Sequence, residues 1–102
     1  MGLGIELQDE HGERLESVID PTNLLGRLLP PNDDRSYPML ASIDPYGDTV
    51  FNRVQIERFL LEWAAISTSA QSSEERSLVA AVEKMALRCH GAVHLYLKFI
   101  GD

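Results

Sequence analysis

The stretch Val93-His94-Leu95-Tyr96-Leu97-Lys98-Phe99-Ile100 carries the strongest strand pattern in this chain of 102 residues. Apolar residues occupy every second position of it: Val93, Leu95, Leu97 and Phe99. Because neighbouring side chains of a strand point to opposite faces, this alternation predicts one fully buried face, and Ile100 adds an apolar residue to the other. Such a strand is expected inside a sheet, so it needs partner strands from elsewhere in the chain.

The N-terminal segment predicts a β-hairpin that pairs with this strand. Apolar or small residues alternate with polar ones on both sides of a polar turn: Leu3, Ile5 and Leu7 before it, and Leu15, Ser17 and Ile19 after it. The turn is Asp9-Glu10-His11-Gly12, and Gly12 can take a positive φ because it has no Cβ. We therefore expect the C-terminal strand to lie in the sheet interior beside this hairpin.

Two main helices are predicted in the second half of the chain. Each begins with a capping box, in which a cap residue and a Gln or Glu three positions later bind each other's main-chain N–H groups: Asn52 with Gln55, and Ser72 with Glu75. Apolar residues follow both boxes at helical spacing. The first helix is expected to run to about Thr68, and the second to end at Gly91 as its C′ residue.

The region between the hairpin and these helices is less regular. Asp20 before Pro21 predicts the N-cap and first residue of a short helix, which Pro30-Pro31 would end. Residues 37–51 are ambiguous, because an apolar stretch that contains a proline precedes a turn over residues 44–48 and a short strand pattern. Sheet and loop both remain open there.

These elements predict one α+β domain over residues 1–102. The sheet is expected to be antiparallel or mixed, with three to five strands that include the N-terminal hairpin and the C-terminal strand. The two main helices are expected to pack on one face of this sheet. The length and an apolar content of 44% suffice for one compact core.

The composition also disfavours several function classes. Sixteen acidic against nine basic residues give a formal charge of −7, so the average field repels nucleic acid and anionic membranes. No apolar stretch approaches the roughly 20 residues that span a bilayer, and the N-terminal segment lacks the features of a secretory signal. The one cysteine, Cys89, cannot form an internal disulfide. We therefore expect a cytoplasmic protein that binds neither nucleic acid nor membranes.

A metal site is not expected. The residues with zinc-binding chemistry are few: His11, Cys89, His90 and His94. The predicted helix ends between His90 and His94, so these two imidazoles would point in unrelated directions. A buried Cys89 and solvated or hydrogen-bonded histidines are the favoured interpretation.

Asp44 and Asp48 flank the predicted turn, and they would form a carboxylate pair suited to hydrolysis or cation binding if they converged. Both are also standard turn formers, and this structural role is the favoured interpretation. The chain has no G-x-S-x-G nucleophile motif and no glycine-rich phosphate-binding motif. Covalent catalysis, nucleotide binding and a bound cofactor are therefore not expected.

The acidic residues are concentrated in the hairpin. Residues 1–20 hold six acids against one base, a net charge of −5, whereas residues 21–102 hold ten acids against eight bases. The solvent face and turn of a half-buried hairpin would collect these side chains in one negative surface. The candidate partner-binding residues are the hairpin acids and the turn pair: Glu6, Asp9, Glu10, Glu13, Glu16, Asp44 and Asp48. Charges on an exposed strand also prevent aggregation whatever the function is, and this structural reason is the favoured interpretation of their concentration.

Three segments resemble parts of a family of small uncharacterised bacterial proteins: residues 20–25 (DPTNLL), 43–52 (IDPYGDTVFN) and 94–102 (HLYLKFIGD). The resemblance spans most of the chain, and it implies no activity and no residue roles. In size and acidic charge alone, the chain is also similar to immunity proteins that block secreted toxins.

The leading hypothesis is a non-enzymatic protein-binding module, such as an inhibitor or immunity-like protein, that presents the acidic hairpin to a basic partner. One alternative is a small metal-dependent hydrolase that uses Asp44, Asp48 and the histidines. Another is a structural homodimer formed through an exposed strand edge or an uncovered apolar surface. Monomer and homodimer both remain open.

Overall fold

The computed structural model describes residues 2–101 and contains a four-stranded antiparallel sheet packed with two main helices. In chain order the elements are β1 (Gly4–Gln8), β2 (Arg14–Ile19), α1 (Leu24–Leu28), a 3₁₀ turn (Leu40–Ser42), β3 (Asp48–Phe51), α2 (Arg53–Ser67), α3 (Ser73–His90) and β4 (Tyr96–Ile100). The strand order is β2-β1-β4-β3, and each neighbouring pair is antiparallel. The predicted α+β class is confirmed.

Strand β4 lies between β1 and β3, so its prediction as an interior strand beside the hairpin is confirmed. It begins at Tyr96 and not at Val93, which is 65% exposed. The chain is still completing the end of helix α3 at this point, because the N–H of Ala92 donates to the carbonyl oxygen of Cys89 at 3.3 Å. The first residues of the alternating segment therefore belong to the connection and not to the sheet.

The apolar face predicted for strand β2 is wrong. Ile5 of β1 pairs with Val18, and residues directly opposite each other share a face of the sheet. Val18 therefore points toward the helices, whereas Leu15 and Ile19 point away from them and are 39% and 73% exposed. The register shifts by one residue beside Leu7, and a shift of one residue moves every side chain of a strand to the other face.

Both predicted capping boxes are present. The Asn52 side chain accepts the N–H of Gln55 at 2.9 Å, and the N–H of Asn52 donates to the Gln55 side chain at 2.9 Å. Ser72 and Glu75 form the equivalent pair of hydrogen bonds at 3.0 and 3.2 Å. Helix α2 ends within one residue of the predicted position. Gly91 is the C-cap of α3 with an ordinary φ of −82°, so it does not use the left-handed conformation expected of a C′ glycine.

Helix α1 begins three residues later than the Asp20-Pro21 pattern predicts. Asn23 holds the N-cap position in the left-handed conformation (φ 57°), and its side chain makes no capping hydrogen bond. The carboxylate of Asp20 accepts hydrogen bonds from the N–H groups of Leu24 and Leu25, each at 2.8 Å. Asp20 lies outside the helix and is completely buried. Its carboxylate therefore takes the place of a cap side chain and satisfies two of the free N–H groups at the start of α1.

Residues 37–51 are a loop that ends in the edge strand β3. The side-chain amide of Asn32 donates to the carbonyl oxygens of Ala41 and Ile43 at 2.6 and 2.9 Å. Two carbonyl groups that a neighbouring strand would otherwise bind are therefore satisfied by a side chain. The short strand pattern beyond the turn corresponds to β3.

The core lies between the inner face of the sheet and the two long helices. It contains four buried aromatic rings: Phe51, Phe59, Trp63 and Phe99. Phe59 stacks on Trp63 with ring centroids 5.3 Å apart, and Phe99 meets Phe59 at 5.8 Å. The indole N–H of Trp63 donates to the carbonyl oxygen of Val79 at 3.0 Å, which joins α2 to α3 within the core.

Candidate protein-binding groove

Strand β2 forms one edge of the sheet. The N–H of Asp20 donates to the carbonyl oxygen of Leu3 at 2.9 Å, so these two residues are a hydrogen-bonded pair just beyond the strand end. Because bonded and non-bonded pairs alternate along an antiparallel ladder, the main-chain groups of Val18 also point toward β1. Those of Ser17 and Ile19 point away from β1, toward the open side of the sheet.

A surface groove of about 500 Å³ lies between strand β2, the turn after it and helix α3. Its apolar lining comes from both sides: Val18, Ile19, Leu24, Leu78 and Ala81. Asp20 and Glu74 are the acidic residues of the lining, and the other lining residues are small or uncharged. The groove therefore combines apolar surface, main-chain groups of β2 that residues 2–101 leave unpaired, and the negative charge of the exposed Glu74.

Two carboxylates hold the walls of this groove together. Asp20 caps α1, as described above. Glu75, in the first turn of α3, binds Arg27 of α1 with the Nε to Oε2 distance at 2.8 Å and the Nη2 to Oε1 distance at 2.6 Å. The Arg27 guanidinium and the main-chain N–H groups of Gln71 and Ser72 lower the pKa of Glu75 to about 2. Helix α1 is thus attached to α3 by a charge-assisted pair.

The hairpin acids proposed from the sequence do not share one surface. Glu6 lies on the outer face of the sheet, where the Gln8 side chain donates to it at 2.8 Å and Lys98 is its cross-strand neighbour. Glu16 lies on the face that meets the helices and forms an ion pair with Arg88 of α3. The sheet separates these two carboxylates, so the expected single negative surface is divided between two faces.

The other hairpin acids lie at the turn, at the far end of β2 from the groove. Asp9 accepts hydrogen bonds from the N–H groups of Glu13 and His11, and these bonds lower the pKa of Asp9. The Oε2 atom of Glu10 lies 3.4 Å from Nδ1 of His94, and about half of the Glu10 side chain is exposed. Glu13 is exposed. The hairpin charge that a partner could reach is therefore concentrated at the turn.

Asp44 and Asp48 make separate contacts. The Asp44 carboxylate accepts the N–H of Tyr46 at 2.9 Å, as an Asx turn does. Asp48 is the first residue of β3 and forms an ion pair with Lys98 at 3.4 Å. Each carboxylate therefore has its own partner, in the turn or in the sheet.

The residues with zinc-binding chemistry are dispersed. His94 lies beside Glu10, whereas the Nε2 atom of His90 is 4.0 Å from Oε2 of Glu57 in α2. Cys89 is buried in the core, where burial raises the pKa of its thiol to about 11. Over residues 2–101, no three His, Cys, Asp or Glu side chains are grouped so that they could hold a metal ion.

Sequence reasoning missed the role of Glu62, which interrupts the apolar stretch of helix α2. Its carboxylate is buried and accepts the N–H groups of Leu40 at 3.0 Å and Met39 at 3.1 Å. Arg58, one helical turn earlier, donates to it at 3.0 Å. Only the Arg58 spacing is visible in the sequence, because the other two partners lie more than twenty residues away.

No helix in the described part of the chain combines the length and the apolar character that a bilayer crossing requires. Comparison of the chain with protein-family models, with curated proteins and with solved structures found no match.

Proposed function

We propose that this protein is a non-enzymatic protein-binding module, an inhibitor or immunity-like protein, that binds a basic partner with its acidic hairpin and the groove along strand β2. The observation that carries the proposal is the position of that groove, which places apolar surface beside the edge strand β2 and the exposed carboxylate of Glu74. Apolar area contributes affinity, and complementary charge contributes specificity and the rate of encounter. We place the protein in the cytoplasm, a compartment in which a free cysteine such as Cys89 persists.

The charge distribution supports a basic partner. The formal charge is −7, and residues 1–20 carry −5 of it. Such a field steers a positively charged surface toward the hairpin and repels acidic proteins. Glu10 and Glu13 at the turn and Glu74 at the groove are exposed, so they can approach cationic side chains directly.

The state of the buried polar groups favours binding over catalysis. Asp20, Glu62 and Glu75 are the buried carboxylates of the described chain, and each accepts main-chain N–H groups or an arginine. They are occupied in holding elements together. The raised pKa of Cys89 is the opposite of what a nucleophilic thiol needs. A metal-dependent hydrolase built on Asp44 and Asp48 gains no support, because the two carboxylates have separate partners.

The test compares two double variants with the same change of charge. Glu10→Lys with Glu13→Lys reverses the exposed charges of the hairpin turn, whereas Asp33→Lys with Glu83→Lys reverses two exposed acids elsewhere. Affinity capture from the source cell should recover a basic protein with the wild-type chain and with the second variant. The first variant should bind that protein at least about tenfold more weakly, because the charges that attract it are reversed.

Equal loss of binding in both variants would show that only overall charge matters and would contradict the proposed site. Capture that is unchanged by reversal of Glu10 and Glu13 would overturn the proposal. Circular dichroism of each variant confirms that the fold is retained before binding is compared.

A further inference from the structure

The free edge of strand β2 offers main-chain hydrogen bonds to a partner. The N–H and C=O groups of Ser17 and Ile19 point away from β1, as the Asp20 to Leu3 hydrogen bond requires. An extended segment laid along this edge would pair with them and become a fifth strand. The strand has six residues, so it can pair with a segment about 20 Å long.

The groove supplies specificity for such a segment. Alternate side chains of an added strand would point to the helix side of the sheet and enter the space between β2 and α3. Val18, Leu78 and Ala81 line this space, so it suits Val, Ile or Thr side chains of the partner. Glu74 is an exposed acid of this lining, which contains no Lys, Arg or His. A cationic residue near the end of the segment is therefore favoured there.

We propose that the basic partner is bound as an extended segment that adds a strand to the free edge of β2, with alternate apolar side chains in the β2–α3 groove and Lys or Arg residues at its ends. This inference rests on the proposed function and names the form in which the partner is recognised. A second copy of the chain is the competing occupant of the edge. Glu10 and Glu13 at the hairpin turn and Glu74 at the groove are exposed acids, and they oppose that pairing and favour a cationic segment.

The experiment uses a synthetic peptide, acetyl-Lys-Lys-Val-Thr-Val-Thr-Val-Lys-Lys-amide, with isothermal titration calorimetry to measure binding. The matched peptide carries Glu in place of every Lys. The lysine peptide should bind wild-type protein at least about tenfold more tightly than the glutamate peptide, because only the former complements Glu74 and the hairpin turn. Amide resonances of Ser17 and Ile19 should shift on binding.

Two proline variants test the edge. Ser17→Pro removes an outward N–H of β2 without removing a hydrogen bond to β1. Val50→Pro is its control on β3, at the opposite edge of the sheet. The N–H of Gly101 donates to the carbonyl oxygen of Gly47, so these two residues are a hydrogen-bonded pair. Because bonded and non-bonded pairs alternate, Val50 belongs to a non-bonded pair and its N–H lies on the open side of β3. The Ser17 variant should bind the lysine peptide about tenfold more weakly, and the Val50 variant should bind it like wild type.

A third variant tests the groove and does not depend on the folding of the proline variant. Ala81→Phe fills the space between α3 and β2 without changing charge, and it should weaken peptide binding about tenfold. Unchanged binding in both the Ser17 and Ala81 variants would overturn strand addition, as would failure of the lysine peptide to bind wild-type protein. A wild-type dimer in light scattering that Ser17→Pro dissociates would assign the edge to a second copy and would also overturn it.

The outcomes separate this inference from the proposed function. If a captured basic protein is lost by reversal of Glu10 and Glu13 but is bound normally by the Ser17 and Ala81 variants, binding through the hairpin turn stands, whereas the groove contact and strand addition both fail. If the peptide binds as expected but reversal of Glu10 and Glu13 does not weaken the binding of any captured protein, the proposed role of the hairpin turn fails. Strand addition at the edge of β2 then stands.

Discussion

Arg27 Nη2 lies 2.6 Å from Glu75 Oε1, and this contact joins helix α1 to the first turn of helix α3. The same carboxylate completes the capping box with Ser72 and accepts the N–H of Gln71. One side chain therefore serves a local cap and a contact across 48 residues. Leu24 of α1 and several residues of α3 line the groove, so this pair joins two of the elements that form the candidate binding surface.

Loss of this pair should weaken the fold in a pH-dependent manner. The pKa of Glu75 falls from an ordinary 4.5 to about 2 in the folded chain, so its ionised form is stabilised by folding. That contribution is complete above about pH 4.5 and is lost as the pH falls toward 2. Arg27→Met should therefore lower stability most above pH 4.5 and should move acid unfolding to higher pH. Circular dichroism during an acid titration measures this shift.

Arg53→Met, at an exposed position in α2, is the control and should unfold in acid as the wild type does. Identical acid unfolding of wild type and Arg27→Met would contradict the prediction.

Glu62 should be essential for the loop before β3. Glu62→Ala leaves the buried N–H of Leu40 and its neighbour Met39 without acceptors, which costs about 1–3 kcal/mol of unfolding free energy. Urea denaturation measures the loss, and hydrogen exchange at Leu40 should become faster than in wild type. Glu57→Ala, on the exposed side of the same helix, should change the free energy by less than about 0.5 kcal/mol. Equal effects of the two substitutions would show that the buried acceptor has no special role.

The start of helix α1 should depend on Asp20 and not on Asn23. Asp20→Ala removes the acceptor of two N–H groups and should cost about 0.5–2 kcal/mol. Asn23→Gly should change stability by no more than about 0.5 kcal/mol, because the Asn23 side chain makes no cap bond and glycine tolerates a φ of 57°. Thermal or chemical unfolding distinguishes the two. A larger loss for Asn23→Gly than for Asp20→Ala would contradict this assignment of the cap.

Cys89 should react with thiol reagents only when the protein opens. It is completely buried in the core, and burial raises the pKa of its thiol to about 11. At pH 8 the thiolate is therefore scarce as well as inaccessible, and labelling by 5,5′-dithiobis(2-nitrobenzoate) should be slower than in the urea-unfolded chain by at least about a hundredfold. Labelling of the native protein at the unfolded rate would refute the burial of this side chain.

The sequence predicted the elements whose causes are local. The capping boxes at Asn52 and Ser72 depend on residues three positions apart, so the pattern contains all the groups involved. Gly12 takes a φ of 79°, as expected for the hairpin turn. The alternation before Gln8 and after Leu95 identifies strands because the period of a strand is a property of its own backbone.

The candidate site was predictable only in part. The concentration of acids in residues 1–20 is visible in the sequence, but the division of Glu6 and Glu16 between two faces depends on the register between β1 and β2. A one-residue shift beside Leu7 reverses the faces of β2, and the alternation of apolar and polar residues does not reveal it. The groove was not predictable, since β2 and the turn after it lie nearly fifty residues or more from the residues of α3 that form its other side.

By itself, the sequence determined the α+β class, the two capped helices, the interior strand at the C-terminal end and the acidic charge, because periodicity, capping and composition act over a few residues. Only the tertiary structure decided which carboxylates are buried and which side of β2 is open. Those properties depend on partners that the fold brings together from distant positions, such as Arg27 with Glu75 and Leu40 with Glu62. A buried charge is tolerated only where such a partner exists, and no local pattern specifies where that partner will lie.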